Sequence, residues 1–386
     1  MKTILIILSF LIWGGEDGFV SARKEEHVRV LRPLEQCERV TDLNKWIERV
    51  EVIPLDKVEG ITVWSRKILL VPGENIILWD NRNIAFFDAS GKYLFTIGRE
   101  CMPKEGNCGT IRDVALDFDK NVLLALDWKG DVQLYDLTDG HWLESIHPEY
   151  AEAGDAYEIA PSTDGGFFLY FCILDEDSFS KPFDQLVSFD KKGKKTGSYL
   201  SRSDYTIPFF LISPSYDRSY YIRTQGGEHF YYRVKEGKLE KEFKIDFGKR
   251  TIPSGYAFSP LKEGKSQIQY YLQADYFKMP IYFKATSKEF YFSVAGPRAE
   301  AYYFLYPNRK QKGIYWVGEE GAPVRFYHSD KDYFYTILWD DCKELKKTED
   351  IQKIKDPLKR CVLERIGLIQ LHALHYPFIT KVKFKS

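Results

Sequence analysis

Ile76-Ile77-Leu78-Trp79-Asp80, Ile84-Ala85-Phe86-Phe87-Asp88 and Gly91-Lys92-Tyr93-Leu94-Phe95-Thr96-Ile97 are followed by a second set with the same layout. The second set is Leu123-Leu124-Ala125-Leu126-Asp127, Val132-Gln133-Leu134-Tyr135-Asp136 and Gly140-His141-Trp142-Leu143-Glu144-Ser145-Ile146. Asp80 corresponds to Asp127 at an offset of 47, Asp88 to Asp136 at 48, and Gly91 to Gly140 at 49. Each copy is three short apolar runs separated by polar turns. A period of roughly 40–50 residues built from strands alone is the mark of propeller blades.

Working outward, the first blade is expected from about residue 61 to 97 and the second from 111 to 146. A third carries Gly166 to Phe171 and Gln185 to Asp190, the latter matching the Asp136 position. A fourth carries Ser219 to Arg223 and Phe230 to Val234. A fifth has Glu289 to Val294, Tyr302 to Tyr306 and the outer run Gly313 to Val317. The last section begins with Val324-Arg325-Phe326-Tyr327 and Asp332 to Leu338, and the chain finishes with an alternating strand, Pro377 to Phe384. Between them Ile351, Ile354, Leu358 and Val362 recur at helical spacing, which predicts one short amphipathic helix that Pro357 kinks or ends.

Trp46 to Leu55 alternates from Ile47 until Pro54 stops it, and it has no neighbouring strand in sequence. An incomplete sixth blade can use it. The reading is therefore an all-β, six-bladed β-propeller whose last blade is closed by N- and C-terminal strands, because closure removes two exposed sheet edges. The organisation predicted is a signal peptide over 1–22, an extended lead-in over 23–45 and a single propeller domain over 46–386.

The signal peptide rests on Lys2, the apolar run Thr3 to Trp13, too short to span a bilayer, and the small residues Val20-Ser21-Ala22 before Arg23. Cleavage there takes one of 55 cationic and two of 56 anionic side chains and leaves 54 of each. Such a balanced surface would not steer a polyanion or an anionic membrane, so no nucleic acid is expected as a partner. The aromatic content of 16% suits half-buried pleated sheets, with a carbohydrate-stacking face as the alternative.

All six cysteines follow residue 22, and an even number in an exported chain permits disulfides. Cys101 and Cys108 flank a loop rich in turn formers and form a possible disulfide, with free thiols or a metal as the alternatives. Cys342 and Cys361 could also pair, and Cys172 is expected to be buried and free.

These residues resemble a six-bladed β-propeller family of exported and lipoprotein-like proteins from gut Gram-negative bacteria, similar in shape to NHL-repeat propellers. The resemblance is carried by Ile47 to Leu55, Ile84 to Lys92, Phe95-Thr96-Ile97-Gly98-Arg99 and Tyr376 to Phe384. It implies a propeller of the cell envelope, in the periplasm or at the cell surface, and brings no established catalytic residues. Family members usually follow the Gly-Arg pair with a Gly/Pro-rich loop, where this chain has Glu100-Cys101 to Cys108-Gly109. Many members also carry a lipid-anchor cysteine. Here Cys37 lies too far from the apolar run to serve as one.

The short motifs have structural explanations. Asp117-Phe118-Asp119-Lys120-Asn121 has the alternating oxygens of a calcium loop but lacks the Gly and distal Glu, so it reads as a turn. Ser162-Thr163-Asp164-Gly165-Gly166 is one partial sialidase-type Asp box and reads as a hairpin turn. His372 and His375 lack the glutamate of a zinc-protease helix. Lys191, Lys192, Lys194 and Lys195 lack the interleaved aromatics of a single-strand binder. The acidic Asp175-Glu176-Asp177 reads as a solvated loop.

No phosphate loop or G-x-S-x-G elbow occurs. No catalytic, cofactor-binding or metal-ligating residue is assigned, and no cofactor is expected. The function expected is a monomeric, non-enzymatic binding or scaffold propeller for a glycan or an envelope protein. The alternative is a propeller hydrolase or lyase acting on a sugar or lactone. The two differ at the central funnel, where an enzyme should gather carboxylates or a metal-bound histidine.

Overall fold

The computed structural model describes residues 28–58, 67–70, 75–80, 83–97, 111–149, 155–162, 164–172, 183–202, 212–217, 219–223, 230–235, 238–253, 274–278, 280–297, 300–307, 312–318, 326–338, 345–368, 371, 374 and 378–385. Their strands form six sheets, each with four antiparallel strands, arranged as the blades of a propeller. Each innermost strand touches the innermost strand of the next blade, and the last touches the first, so the ring is closed.

Blade one is Lys67–Leu70, Asn75–Trp79, Ile84–Asp88 and Tyr93–Ile97, from axis to rim. Blade two is Ile111–Asp117, Val122–Asp127, Val132–Asp136 and Trp142–Ile146. Blade three is Asp155–Pro161, Phe167–Cys172, Phe183–Phe189 and Lys195–Arg202. Blade four is Ile212–Pro214, Tyr220–Arg223, Phe230–Lys235 and Lys238–Ile245, and blade five is Pro280–Ala285, Phe290–Ala295, Ala301–Tyr306 and Gly313–Val317. Blade six takes His328–Ser329, Phe334–Leu338 and Phe378–Phe384 from the C-terminal part and Ile47–Pro54 as its outer strand. Val50 faces Val382 and Glu51 faces Lys381 across that closing pair. The inner strand of blade six starts at His328, four residues after the start of the run at Val324 that sequence suggested.

The continuous apolar runs follow from blades stacked face to face. Side chains alternate sides along a strand, so a strand covered on both faces must be apolar throughout. Ile77 and Trp79 pack with Val114, Leu123 and Tyr135 of blade two. Their neighbours Ile76 and Leu78 pack the other way, with Tyr335, Ile337 and Ile379 of blade six. One apolar cluster fills each of the six junctions in this manner. The junction of blades four and five is mostly aromatic, with Tyr231 stacked on Phe243 and Phe290 on Tyr306.

The repeated Asp and Gly of the third turn lock blade to blade. Asp88 Oδ1 accepts from the amides of Ser90 and Lys92, and Asp190 Oδ1 from those of Lys192 and Lys194. Gly91 at φ +91° and Gly193 at φ +82° then pass where no side chain fits. A Cβ on Gly91 would lie 1.8 Å from the Pro54 carbonyl oxygen of blade six, and one on Gly193 2.8 Å from Ile146 of blade two. The Gly91 carbonyl accepts from Asp56 N at 2.9 Å and the Gly193 carbonyl from Glu149 N at 2.8 Å, so the lock repeats.

Residues 28–45, read from sequence as extended lead-in, do more than lead in. Arg29–Leu31 adds a fifth, parallel strand outside blade four against Phe243–Ile245. A helical turn, Pro33–Gln36, follows, and Cys37–Arg39 adds a fifth strand outside blade five against Gly313–Tyr315. The C-terminal helical segment is two helices, Thr348–Gln352 and Pro357–Ile366. Pro357 starts the second, where its missing N–H costs nothing, and Asp356 caps it by accepting from Lys359 N. Ile351, Leu358, Val362 and Ile366 bury against blades five and six. Among the described residues no helix is long and apolar enough to cross a membrane.

Candidate functional site

A cavity of about 410 Å³ opens among the hairpins that join the first and second strands of blades four and six and the inner strands of blades one and two. Its most polar wall belongs to blade six. Asp330 opens a tight turn there: its Oδ1 accepts from the amides of Asp332 at 2.8 Å and Tyr333 at 2.7 Å. This is the local chemistry for which Asp is favoured in turns. The other oxygen, Oδ2, accepts from the Tyr335 hydroxyl.

Sheet register extends the wall. Tyr335, Lys381 and Glu51 sit side by side on three adjacent strands. Lys381 Nζ lies 2.9 Å from Glu51 Oε2 and 4.4 Å from the centre of the Tyr333 ring. Tyr333 donates its hydroxyl to Glu51 Oε1 at 2.8 Å, and Arg49 Nε is 2.9 Å from the same oxygen. Burial works to raise the Glu51 carboxyl, but Lys381, Tyr333 and Arg49 outweigh it and hold the group below its ordinary value. Burial and then Asp330 raise the Tyr335 phenol.

His328 lies deeper, on the inner strand of blade six, and lines the same cavity. It is 7% exposed and packs edge-on against Tyr335, its partner in the sheet, at 6.0 Å. Burial, then the Lys284 ammonium of blade five, push the imidazole down to about 3 against a hydrogen bond to the Ile68 carbonyl. It is therefore neutral at ordinary pH. Its Nδ1 is buried and has no hydrogen-bond partner among the described residues. The opposite wall is made by Tyr216 and Tyr220 of blade four with Leu116 and Phe118 of blade two. The Tyr220 hydroxyl donates to the Leu116 carbonyl at 3.3 Å.

Other buried carboxylates near the axis are structural. Asp113 Oδ2 accepts from Ile159 N at 3.0 Å, and Glu158 Oε2 from Ile212 N at 2.6 Å. Each stitches its inner strand to the next one. Half-buried Asp136 and exposed Asp139 and His141, at the third turn of blade two, have donor atoms within 4.8 Å of one another. In it, His141 Nδ1 and Asp139 Oδ1 already satisfy each other at 2.6 Å.

The sequence motifs fall as follows. Asp117 Oδ1 accepts from the amides of Asp119 and Lys120, and Asn121 adopts φ +56°, so the calcium-like stretch is a turn. Asp164 Oδ1 accepts from Gly166 N, and Gly165 has φ +84°, as a hairpin turn requires. Lys192 and Lys194 sit in the Asp190 turn. Cys101, Cys108, Cys342, His372, His375 and the Asp175 to Asp177 loop lie outside the described residues, as does the side chain of Cys172. Cys361 is a free buried thiol that donates to Asn44 Oδ1 at 3.1 Å, so the pairing of Cys342 with Cys361 is not formed. Cys37 is also free. Sequence reasoning did not single out His328, Lys381 or Tyr335. Their neighbours come from four blades, and no spacing encodes that.

No curated protein matches the chain. Among solved structures it is similar to the "Putative exported protein" of Bacteroides fragilis NCTC 9343, at a TM-score of 0.69 and 15% identity over 92% of this chain and 99% of that one. At that identity the likeness shows the fold alone. The Pan2 WD40 domain of Neurospora crassa aligns at a TM-score of 0.38 and 8% identity over 70% of this chain and 71% of that one, too distant to carry an argument. The model of the 6-bladed beta-propeller family DUF5128 matches residues 21–320, which leaves the His328 to Tyr335 hairpin and Lys381 beyond the matched stretch. With more than half of its length matched and six blades in a closed ring, the chain belongs to that family.

Proposed function

We propose that the mature chain is an exported, non-catalytic binding propeller of a Gram-negative cell envelope, which takes a glycan or an envelope protein at the cavity between blades one, two, four and six. One observation carries this reading: the cavity is walled by aromatic rings, and the charged groups deepest in its blade-six wall, Asp330 and Lys381, are already engaged. Both oxygens of Asp330 are engaged by the turn and by Tyr335, and Lys381 is held by Glu51. Concave sites lined by rings with a few placed polar groups are the usual form of a ligand pocket. The exported character rests on the apolar N-terminus and is in keeping with the likeness to the Bacteroides fragilis protein.

The test is a screen of the purified mature protein against a glycan array and against envelope extracts, with Tyr333→Ala as the site control. A binder lost in that variant is the expected result. No binder in either screen counts against the reading. A hydrolase or lyase is the second reading, favoured by the presence of both Asp330 and Asp332 at the cavity. Turnover of nitrophenyl glycosides or lactones that disappears in Asp332→Asn would replace binding with catalysis.

A further inference from the structure

We propose that Glu51 is the positioning residue of this cavity: reaching in from the N-terminal strand that closes the ring, it holds Tyr333 and Lys381 in the blade-six wall, so the wall is complete only once that strand has docked. The inference rests on the binding reading above and adds a regulation of the same site.

The wall has two layers of different origin. The deeper layer is local. Asp330 accepts from the amides of Asp332 and Tyr333 and from the Tyr335 hydroxyl, and those bonds draw on nothing outside residues 330–335. The outer layer is assembled from distant parts of the chain. Tyr333, from that hairpin, and Lys381, from the last strand, both line the cavity. Their polar ends meet on one carboxylate of the N-terminal strand. Glu51 Oε1 accepts from the Tyr333 hydroxyl at 2.8 Å, and Oε2 lies 2.9 Å from Lys381 Nζ. Lys381 Nζ in turn sits 4.4 Å from the centre of the Tyr333 ring, so the three groups fix one another. Glu51 itself is not among the residues lining the cavity and acts through the two that are.

The Glu51 and Lys381 side chains are 26% and 21% exposed, where an ion pair contributes little to stability. What it does supply is geometry. Lysine has among the largest rotamer freedoms of any side chain, and a carboxylate shared with Tyr333 removes it. The strand that brings Glu51 is itself set against the cavity. Ile53, two residues on, is a lining residue, as is Ala89 in the blade-one turn whose Gly91 carbonyl accepts from Asp56 N. Closure and binding are therefore linked. An occupant lying against Tyr333 and Lys381 favours the docked strand, and by reciprocity an undocked strand weakens that occupant.

The experiment compares the mature wild type with Glu51→Gln, which keeps the shape and removes the charge, and with Glu48→Gln. Glu48 pairs with Lys383 at 2.9 Å across the same two strands, and neither residue lines the cavity, so it is the control for a merely structural ion pair. Proton–carbon NMR with labelled lysine and tyrosine reads the wall without any ligand, with Lys381→Arg and Tyr333→Phe assigning the signals. In wild type the Lys381 ε-methylene protons should be shifted upfield by the Tyr333 ring. The Tyr333 phenol should titrate above its ordinary range, because burial and then Glu51 raise it. Glu51→Gln should cancel the lysine shift and lower the phenol's titration point, and Glu48→Gln should leave both as they are.

Hits from the glycan array and the envelope extracts should bind Glu51→Gln about tenfold more weakly and Glu48→Gln as they bind wild type. Hydrogen exchange of the amides of residues 47–54 should slow when such a hit is added to wild type. Absence of the two signals in wild type, their persistence in Glu51→Gln, or their equal loss in Glu48→Gln overturns the inference. So does a hit that binds Glu51→Gln as tightly as wild type; if Tyr333→Ala still abolishes that binding, the binding reading stands. No binder in either screen sinks the binding reading, and the two NMR signals alone then decide whether Glu51 sets the wall.

Discussion

Gly91→Ala tests the blade lock where it closes the ring. Gly91 has φ +91°, and a Cβ there would stand 1.8 Å from the Pro54 carbonyl oxygen and 2.9 Å from its carbon. Both atoms are backbone of the N-terminal strand that completes blade six, so the clash cannot be relieved by a rotamer change. The left-handed conformation alone costs an alanine roughly 1–2 kcal/mol. Forced separation of packed backbone adds about 1–3 kcal/mol. Separation also breaks the 2.9 Å bond from Asp56 N to the Gly91 carbonyl, worth about 1 kcal/mol. The expected loss is therefore roughly 3–6 kcal/mol, a large part of the ~5–15 kcal/mol that holds a domain together. Gly248→Ala is the control, since Gly248 also has positive φ, at +61°, but nothing lies within 4 Å of its Cβ position. It should show the conformational cost alone. Urea unfolding at constant m-value reads both variants. If Gly91→Ala costs no more than Gly248→Ala, the glycine is not a blade-to-blade lock.

Three further outcomes are expected. An unfolded histidine protonates near pH 6.5 and His328 only at about 3, so the folded state binds fewer protons between those values. Wild type should lose about 2 kcal/mol from this group between pH 7 and pH 5 and more towards pH 3, while His328→Phe lacks that loss; equal acid sensitivity in urea titrations would mean the imidazole is not held neutral by its burial and by Lys284. Leu31 is fully buried on the fifth strand of blade four, and Leu31→Ala should cost about 2–5 kcal/mol in the same assay, whereas a cost near zero would return that segment to a loose lead-in. Burial pushes the thiols of Cys37 up to about 12 and Cys361 up to about 11, so both should resist alkylation until the chain is unfolded. Cys101 and Cys108 are proposed to form a disulfide, and mass spectrometry showing both alkylated in unfolded, unreduced protein would remove that bond from the account.

The blades were legible because their third turns need Asp and Gly for reasons of local chemistry. Asp88, Asp136 and Asp190 recur with Gly91, Gly140 and Gly193, and the middle strands are apolar on both faces. The closing strand was legible from its isolation: Ile47–Pro54 alternates and has no neighbour to pair with in sequence. The fifth strands at Arg29–Leu31 and Cys37–Arg39 were not legible. Three-residue strands carry no periodicity, and their conformation comes from the edges of blades four and five. The inner strand His328–Ser329 is equally short. The cavity was illegible for a related reason, because Leu69, Leu116, Tyr216 and His328 meet only after the ring closes. A lone histidine in a polar stretch gives no sign that one of its nitrogens will be left without a partner.

The most direct test of the central claim is a crystal structure of the mature chain with the tightest ligand found in the glycan and envelope screens. The account predicts that ligand in the cavity between the hairpins of blades four and six, against Tyr216, Tyr220 or Tyr333. Ligand bound instead on another surface, such as the exposed Trp128 on blade two, with the cavity unchanged, would contradict it.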